Sequence, residues 1–292
     1  MTVVWAHSGA RLGVGGIQFI AGVGVCLFLI CSGYGLEMSY RVNGLPGFWK
    51  KHLFNVVVPF WIVEFIGLSL KGNLSFDIFI KDFLFIDAAT SYGWFMQYIV
   101  ICYLIFYGIK RITERTSEQI QLCVFFAAFT VWFIIDSVLF AKPDMPFLRA
   151  RQMYAFPIGI AIAQYRISIK HFFERTSTLV WGGIIGIVIM AVTQTNFINS
   201  FPVLFANMLS IFTVVPLAFA VLSMATKMPL MVKSSTMKWC GLVSYEIYLV
   251  HAFTLSFVKP RIFSIFLFLV ITSGLAGLLH MLLKVKENFV RN

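Results

Sequence analysis

The chain has 292 residues, of which 60% are hydrophobic and 12% are charged, against roughly 25% charged residues in soluble domains. This composition excludes a water-soluble fold, and the continuous apolar run from Val203 to Ala225 lacks the two-residue alternation of a membrane β-barrel. The net charge of +11 comes from short clusters of Lys and Arg between apolar runs, where membrane-protein loops carry them, so it predicts no nucleic-acid partner. We predict one all-α polytopic transmembrane helical bundle over residues 1–292, with no soluble extramembrane domain.

Nine apolar stretches bounded by basic or turn residues are predicted as membrane spans: Leu12 to Leu36, Leu53 to Leu70, Ala88 to Ile109, Ile120 to Phe140, Gln152 to Tyr165, Ser177 to Val192, Val203 to Ala225, Trp239 to Val258 and Ile262 to Leu283. The polar run Thr193 to Pro202 separates two of them. Ahead of the first span, Met1 to Ala6 rises only about 9 Å as a helix. We interpret it as a truncated first span that ends at His7, within a ten-helix architecture.

The distribution of basic residues predicts the orientation. Counted loop by loop on alternating sides, fifteen Lys and Arg residues fall on one side and eight on the other. The positive-inside rule makes the fifteen cytoplasmic. The C-terminus is therefore predicted inside, and His7 and the Thr193 to Pro202 turn are predicted outside. The segment Leu74 to Ile86 mixes charged and aromatic residues and is predicted as an outer interfacial helix.

Ionisable residues inside apolar spans are costly, so each is a functional candidate. Glu64 and Asp136 are interpreted as hydrogen-bonded structural carboxylates or as transport groups, and Glu37 and His280 as groups solvated at a cytoplasmic rim. In the segment GLVSYEIYLVH, polar residues at i, i+4 and i+7 form one stripe along a helical face, with Glu246 nearby: Ser244, Tyr248 and His251. A lone membrane histidine serves either as a packing hydrogen-bonder or as a functional group, and both interpretations stay open.

The cysteines predict no metal site. All five lie within apolar stretches, without a CxxC pair or a metal-ligand spacing: Cys26, Cys31, Cys102, Cys123 and Cys240. We interpret them as small buried apolar residues. No bound cofactor is predicted.

Five segments carry a resemblance to a known family. They are GVGVCLFLICSGYG (Gly22 to Gly35), FWKKHLFNVVVPF (Phe48 to Phe60), GWFMQYIVICYL (Gly93 to Leu104), RQMYAFPIGIAIAQY (Arg151 to Tyr165) and GLVSYEIYLVH (Gly241 to His251). Their order over nearly the whole chain resembles the acyltransferase-3 family of integral membrane acyltransferases. The resemblance implies a ten-helix O-acyltransferase of the bacterial inner membrane, which moves an acyl group, with acetyl expected, from cytoplasmic acyl-CoA to a hydroxyl of an extracytoplasmic glycan or glycolipid.

The family signature is a basic residue followed eleven positions later by a histidine in the first span. His7 in VVWAHSG matches the histidine, whereas the basic position would precede Met1. Cys26 stands where the family often has an acid, and His52 and Asn55 stand where it has basic residues before the proline at Pro59.

The resemblance and the chemistry together predict the site. His7 is the predicted catalytic residue, because a neutral imidazole accepts a proton or attacks a thioester near pH 7. Arg149 and Arg151 are predicted either to donate to the developing oxyanion from the same outer side or to anchor the end of their span at the outer rim. Lys50, Lys51 and His52 are predicted to bind the phosphates of the acyl donor, with the alternative that this basic cluster sets the membrane topology alone. Four further residues are predicted to support the site: Ser32, Glu246, Tyr248 and His251. Gly33 and Gly35, which lie close to Ser32 in the sequence, are predicted to allow close helix approach.

Two other function classes stay open. One is a transporter or flippase for a lipid-linked sugar, which the lack of paired repeats and of broken midplane helices disfavours. The other is an inactive truncated paralogue, which the short first span keeps under consideration.

Overall fold

The structure is a computed structural model of the chain. It describes residues 2–11, 19–73, 75–86, 93–139, 149–193, 195, 198, 200–257 and 262–291. Every regular element among these residues is helical, so the all-α prediction is confirmed.

The first half of the chain begins with helix α1 and ends before a short 3₁₀ turn. Its helices are α1 (Thr2–Arg11), α2 (Phe19–Asn43), α3 (Phe48–His52), a π-helical turn (Leu53–Val57), α4 (Val58–Leu70), α5 (Phe76–Phe83), α6 (Trp94–Ile112) and α7 (Glu118–Leu139). Helix α5 lies inside the predicted interfacial segment. Ser75 caps it by accepting a hydrogen bond from the Ile78 N–H at 3.2 Å.

The second half opens on the 3₁₀ turn Ala150–Gln152. It continues with α8 (Ala155–Gln164), α9 (Arg166–Glu174), α10 (Thr176–Thr193), α11 (Val203–Lys227), α12 (Pro229–Val232), α13 (Ser235–Leu242), α14 (Ser244–Phe257) and α15 (Ile262–Arg291). Helix α10 ends and α11 begins where the polar run Thr193 to Pro202 predicts a break.

The chain divides into two compact units. Unit 1 comprises Met1–Gln18, Pro46–Ile101 and Lys233–Asn292, and unit 2 comprises Phe19–Leu45 and Cys102–Val232. In unit 1, an apolar core joins α1 to α14 and α15 through Val4, Val243, Ile247, Val250, Leu255, Phe268 and Ala276.

Unit 2 is built on glycine-mediated helix contacts. A Cβ at Gly33 of α2 would lie 2.2 Å from the Phe156 carbonyl oxygen of α8, and one at Gly159 would lie 2.1 Å from the Ile30 carbonyl oxygen. Small residues let membrane helices approach in this way. Gly35 has no atom within 4 Å of its Cβ position. The predicted close approach is therefore found at Gly33, and the prediction is wrong for Gly35.

Seven helices are long and apolar enough to cross a membrane within the described ranges: Ile20–Asn43, Phe48–Leu70, Trp94–Ile112, Glu118–Leu139, Thr176–Thr193, Val203–Lys227 and Ser264–Lys284. They correspond to seven of the nine predicted spans. The chain is thus a multi-pass helical protein by length and composition of its helices.

The other two predicted spans are shorter as helices. The span Gln152 to Tyr165 contains α8, whose ten residues rise about 15 Å, half of a hydrocarbon layer of about 30 Å. The span Trp239 to Val258 is divided at Val243 into α13 and α14. Apolar content alone does not show such a break, because Val243 is itself an apolar residue.

Helix α2 runs to Asn43, two turns beyond the predicted end at Leu36. Helix α1 likewise continues past His7 to Arg11, so the interpretation that this helix ends at His7 is wrong. The prediction of buried cysteines is confirmed for Cys26 and Cys102 and wrong for Cys31 and Cys123, which are exposed. An apolar exterior on a membrane-spanning helix accommodates a thiol as well as a core does.

Candidate active site

His7 lies on the face of α1 that packs into unit 1. Val4, His7 and Ser8 are three and four residues apart and therefore share this face. Val4 and Ser8 are buried, and Val4 belongs to the core formed with α14 and α15. The packing of Val4 thus turns the half-buried imidazole of His7 toward α14.

The imidazoles of His7 and His251 are in direct contact. His7 Nδ1 lies 2.9 Å from His251 Nε2, and the ring centroids are 5.1 Å apart with an angle of 11° between the planes. A ring nitrogen lies about 1.15 Å from its ring centroid, given ring bonds of about 1.35 Å, so a straight centroid–N···N–centroid line has a length of about 5.2 Å. The observed separation is nearly this maximum, so the two rings meet edge to edge in almost one plane.

His251 is held from its other ring nitrogen. The side chain has an exposed fraction of 0%, and Nδ1 is hydrogen-bonded to the carbonyl oxygen of Tyr248, one turn earlier in α14. The Tyr248 ring in turn packs edge-on against Phe95, with centroids 5.0 Å apart. The backbone of α14 and its aromatic neighbour therefore fix the orientation of His251.

Helix α14 is anchored to the π-helical turn before α4 and to α4 itself. The Tyr245 hydroxyl donates a 2.5 Å hydrogen bond to the carbonyl oxygen of Val56 in the π-helical turn. Further along, the Phe253 ring fills the space beside Gly67 of α4, where a Cβ would come within 2.1 Å of the ring. These contacts restrict sliding of α14, the helix that carries His251.

A second ionisable pair joins α14 to α15. His280 Nδ1 lies 2.7 Å from Glu246 Oε1, and both side chains are largely buried. The prediction of a solvated rim position for His280 is therefore wrong, because the carboxylate takes the place of water. The signal was present in the sequence, since two ionisable groups within apolar spans each require a polar partner.

Ser244 of the predicted polar stripe and Ser32 of the predicted site have local roles. Ser244 begins α14 and donates to the carbonyl oxygen of Gly241 at 2.8 Å, across the break at Val243. In unit 2, the Ser32 hydroxyl lies 3.4 Å from the Tyr103 hydroxyl. Ser32 therefore links α2 to α6.

The two arginines predicted as oxyanion donors belong to unit 2. Arg149 Nη1 lies 3.6 Å from Asp136 Oδ1, which agrees with the interpretation of Asp136 as a structural carboxylate. Arg151 lies beside Gly22 of α2, where a Cβ would come within 3.5 Å of its Nη1 atom, and the adjacent Gln152 amide donates to the Gly22 carbonyl oxygen at 3.1 Å. Burial lowers the pKa of the Arg151 guanidinium, which starts far enough above neutrality to stay charged. Their action on the His7 chemistry stays a prediction.

Glu37 forms a buried ion pair within unit 2. Its Oε2 atom lies 2.7 Å from Nζ of Lys110 on α6, and both side chains are almost fully buried. Lys110 also donates to Gln121 at 2.7 Å, and Arg41 lies 3.4 Å from the Glu37 carboxylate. The prediction of simple rim solvation for Glu37 is wrong, because the buried ammonium group of Lys110, and not water, neutralises its carboxylate.

The predicted donor-binding cluster occupies helix α3. Lys50 and Lys51 are exposed, as a contact with a charged ligand requires. His52 is half-buried, lies against the ring of Phe48, and directs Nδ1 to the Phe48 carbonyl oxygen at 2.7 Å. One ring nitrogen of His52 is thus used within α3 itself.

The structure brings together His7, His251 and Tyr248 in unit 1, and Glu246 on the same helix α14 pairs with His280 on α15. Among the described residues, no group of three or more His, Cys, Asp or Glu side chains is arranged to hold a metal ion. The chemistry available at the pair is that of two coupled imidazoles: proton acceptance, proton donation or nucleophilic attack.

The comparison with family models identifies the chain. Neither a curated protein nor a solved structure matches it. The model for the acyltransferase domain of the acyltransferase-3 family matches residues 1–284. This match covers α1, with His7, and all of α14, with His251. The chain therefore belongs to the acyltransferase-3 family.

Proposed function

We propose that the protein is an O-acyltransferase of the bacterial inner membrane. It transfers an acyl group, with acetyl expected, from cytoplasmic acyl-CoA to a hydroxyl of an extracytoplasmic glycan or glycolipid. The observation that carries the proposal is the partly buried contact between His7 and His251 inside a chain of an acyltransferase family. The ten-helix architecture, the cytoplasmic C-terminus and the outer position of His7 belong to the same proposal.

Transfer from a thioester to an alcohol requires a proton acceptor. His7 takes the proton of the acceptor hydroxyl while the oxygen of that hydroxyl attacks the acyl carbonyl carbon. The tetrahedral intermediate then expels the thiolate of CoA, which takes the proton from the imidazolium, so that CoA leaves as the thiol and His7 is restored. A positioned base of this kind contributes about 10²- to 10⁴-fold to the rate.

The donor phosphates bind at α3 in this proposal. Lys50 and Lys51 present two exposed ammonium groups on the side that the positive-inside rule makes cytoplasmic. Charge-assisted contacts to phosphate are stronger than neutral ones. The Lys50→Gln/Lys51→Gln double variant is expected to raise the KM for acyl-CoA with little change in kcat. Lys238→Gln is the matched control, because Lys238 is another exposed lysine of the same predicted side.

The test of the function uses the full chain in proteoliposomes with radiolabelled acetyl-CoA and a panel of bacterial surface glycans. The wild type should release CoA and label a glycan, and His7→Ala should lower kcat by about 100-fold or more. His171→Ala is the matched control, since His171 is a largely exposed histidine beside Glu174 on α9, and it should retain full activity.

Two results would contradict the proposal. Wild-type protein that neither releases CoA nor labels any glycan, while it moves a lipid-linked sugar across the bilayer, would identify a transporter. Equal activity of His7→Ala and His171→Ala would exclude His7 as the base, whatever the reaction.

A further inference from the structure

We propose that His251 is a positioning residue that sets the tautomer of His7. A hydrogen-bond chain runs from the Tyr248 carbonyl through His251 to His7 and places the lone pair of the neutral His7 ring on Nε2. The role of Nε2 as the base rests on the proposed function, whereas the tautomer itself follows from the geometry.

The chain starts at a group that only accepts. The carbonyl oxygen of Tyr248 has lone pairs and no proton to give, and His251 Nδ1 contacts it. The shared proton must therefore lie on Nδ1 of His251. This assigns one of the two ring nitrogens of His251 without reference to any substrate.

Burial then assigns the other nitrogen. His251 has an exposed fraction of 0%, and an imidazolium in that position would carry a charge out of water at high cost. The neutral ring with its proton on Nδ1 has a lone pair on Nε2. Nε2 of His251 is therefore an acceptor, directed at His7 Nδ1 over 2.9 Å.

The edge-to-edge arrangement makes this contact a well-directed hydrogen bond. The N–H bond of an imidazole points outward in the ring plane, along the line from the centroid through the nitrogen. Because the two centroids and the two nitrogens lie almost on one line, a proton on His7 Nδ1 points at the lone pair of His251 Nε2. Hydrogen bonds prefer such near-linear geometry.

The assignment of His7 follows from that proton. A neutral imidazole carries one proton, so His7 with its proton on Nδ1 has its lone pair on Nε2. Nε2 takes the hydroxyl proton during the reaction and later gives it to the CoA thiolate. Throughout, Nδ1–H stays hydrogen-bonded to His251, which orients the ring as the carboxylate does in a serine protease triad.

The first test is spectroscopic and requires no activity. The full chain labelled with ¹⁵N-histidine is measured in detergent or bilayers by NMR, which separates protonated from unprotonated ring nitrogens. His7→Ala and His251→Gln assign the two signals. We expect both residues as Nδ1–H tautomers in the wild type. A wild-type His7 that carries its proton on Nε2 would overturn the inference even if the protein is a fully active transferase.

The second test separates positioning from packing. His251→Phe fills the site without an acceptor and should lower kcat by about 100-fold or more with the KM for acyl-CoA unchanged, and the His7 signal should lose its Nδ1–H preference. His251→Gln retains an acceptor oxygen and should recover most of kcat. Thr272→Val is the matched control, because it removes a buried 2.8 Å hydrogen bond to Thr254 in the same unit, and its kcat should stay at the wild-type value.

The outcomes are separable. An inactive wild type that shows both Nδ1–H tautomers would contradict the proposed function and leave the hydrogen-bond chain in place. Equal loss of kcat in the Phe and Gln variants, or unchanged kcat in both, would refute the positioning role in an active enzyme.

Discussion

The contact between α2 and α8 offers the sharpest test of the packing. Gly33→Ala would place a Cβ 2.2 Å from the carbonyl oxygen of Phe156, whereas carbon–oxygen contacts in proteins are about 3.3 Å or longer. The two helices must therefore separate by about 1 Å. The obstructing atom is backbone, so no side chain can rotate away to make room.

The expected cost exceeds the gain from helix propensity. Overpacking of this kind costs about 1–3 kcal/mol, and alanine in place of glycine in a helix returns at most about 1 kcal/mol. We expect Gly33→Ala to lower the free energy of unfolding by about 1–2 kcal/mol. Gly35→Ala lies on the same helix with no atom near its Cβ, so it should leave stability unchanged or raise it slightly.

Unfolding of the purified variants in mixed detergent micelles, followed by tryptophan fluorescence, measures both values. The double variant Gly33→Ala/Gly159→Ala supplies a further check. Once one methyl group has separated the helices, the second methyl group has room. The double variant should therefore lose less free energy of unfolding than the two single variants lose in total. Equal stability of the Gly33 and Gly35 variants would refute the close approach of these helices.

Three further predictions concern buried charges and orientation. Lys110→Met removes the 2.7 Å ammonium partner of the buried Glu37 and leaves it only the longer contacts with Arg41 and the Gln164 amide, so it should lower the free energy of unfolding by about 3–5 kcal/mol. Adding Glu37→Leu should recover most of that loss, and a double variant as unstable as the single one would contradict the pairing. In a double-mutant cycle, Glu246→Gln and His280→Phe should show a coupling of about 1.5–3 kcal/mol in unfolding experiments, and additive effects would show that the 2.7 Å contact contributes nothing to stability. Of two reporters fused after Asn292, the one that works only in the cytoplasm should be active and the one that works only in the periplasm should be inactive. The opposite result would reverse the proposed topology and the outer position of His7.

Much of the helical organisation could be predicted from the sequence, because membrane helices are read from local apolar length. Seven predicted spans correspond to helices of sufficient length and hydropathy, and the segment Leu74 to Ile86 contains the predicted helix as α5, with Ser75 as its cap. The family is likewise carried by local motifs, and the match over residues 1–284 confirms it. These features depend only on neighbours along the chain.

The ends of helices were less predictable where a charge is neutralised from a distance. Glu37 predicts the end of a span only if it is solvated. Its contact with Lys110 on another helix lets α2 continue to Asn43. The sequence does not predict the break at Val243 either, because valine is not a turn-forming residue.

The histidine pair shows the same division most clearly. The sequence by itself determined that His7 and His251 are ionisable groups in an apolar chain and therefore candidates for function. Only the tertiary structure decided that they meet, since 244 positions separate them and no helical periodicity connects residues so far apart. The physical reason is the packing of Val4 among the core residues of α14 and α15, which turns one face of α1 toward His251 and joins two isolated imidazoles into one hydrogen-bonded unit.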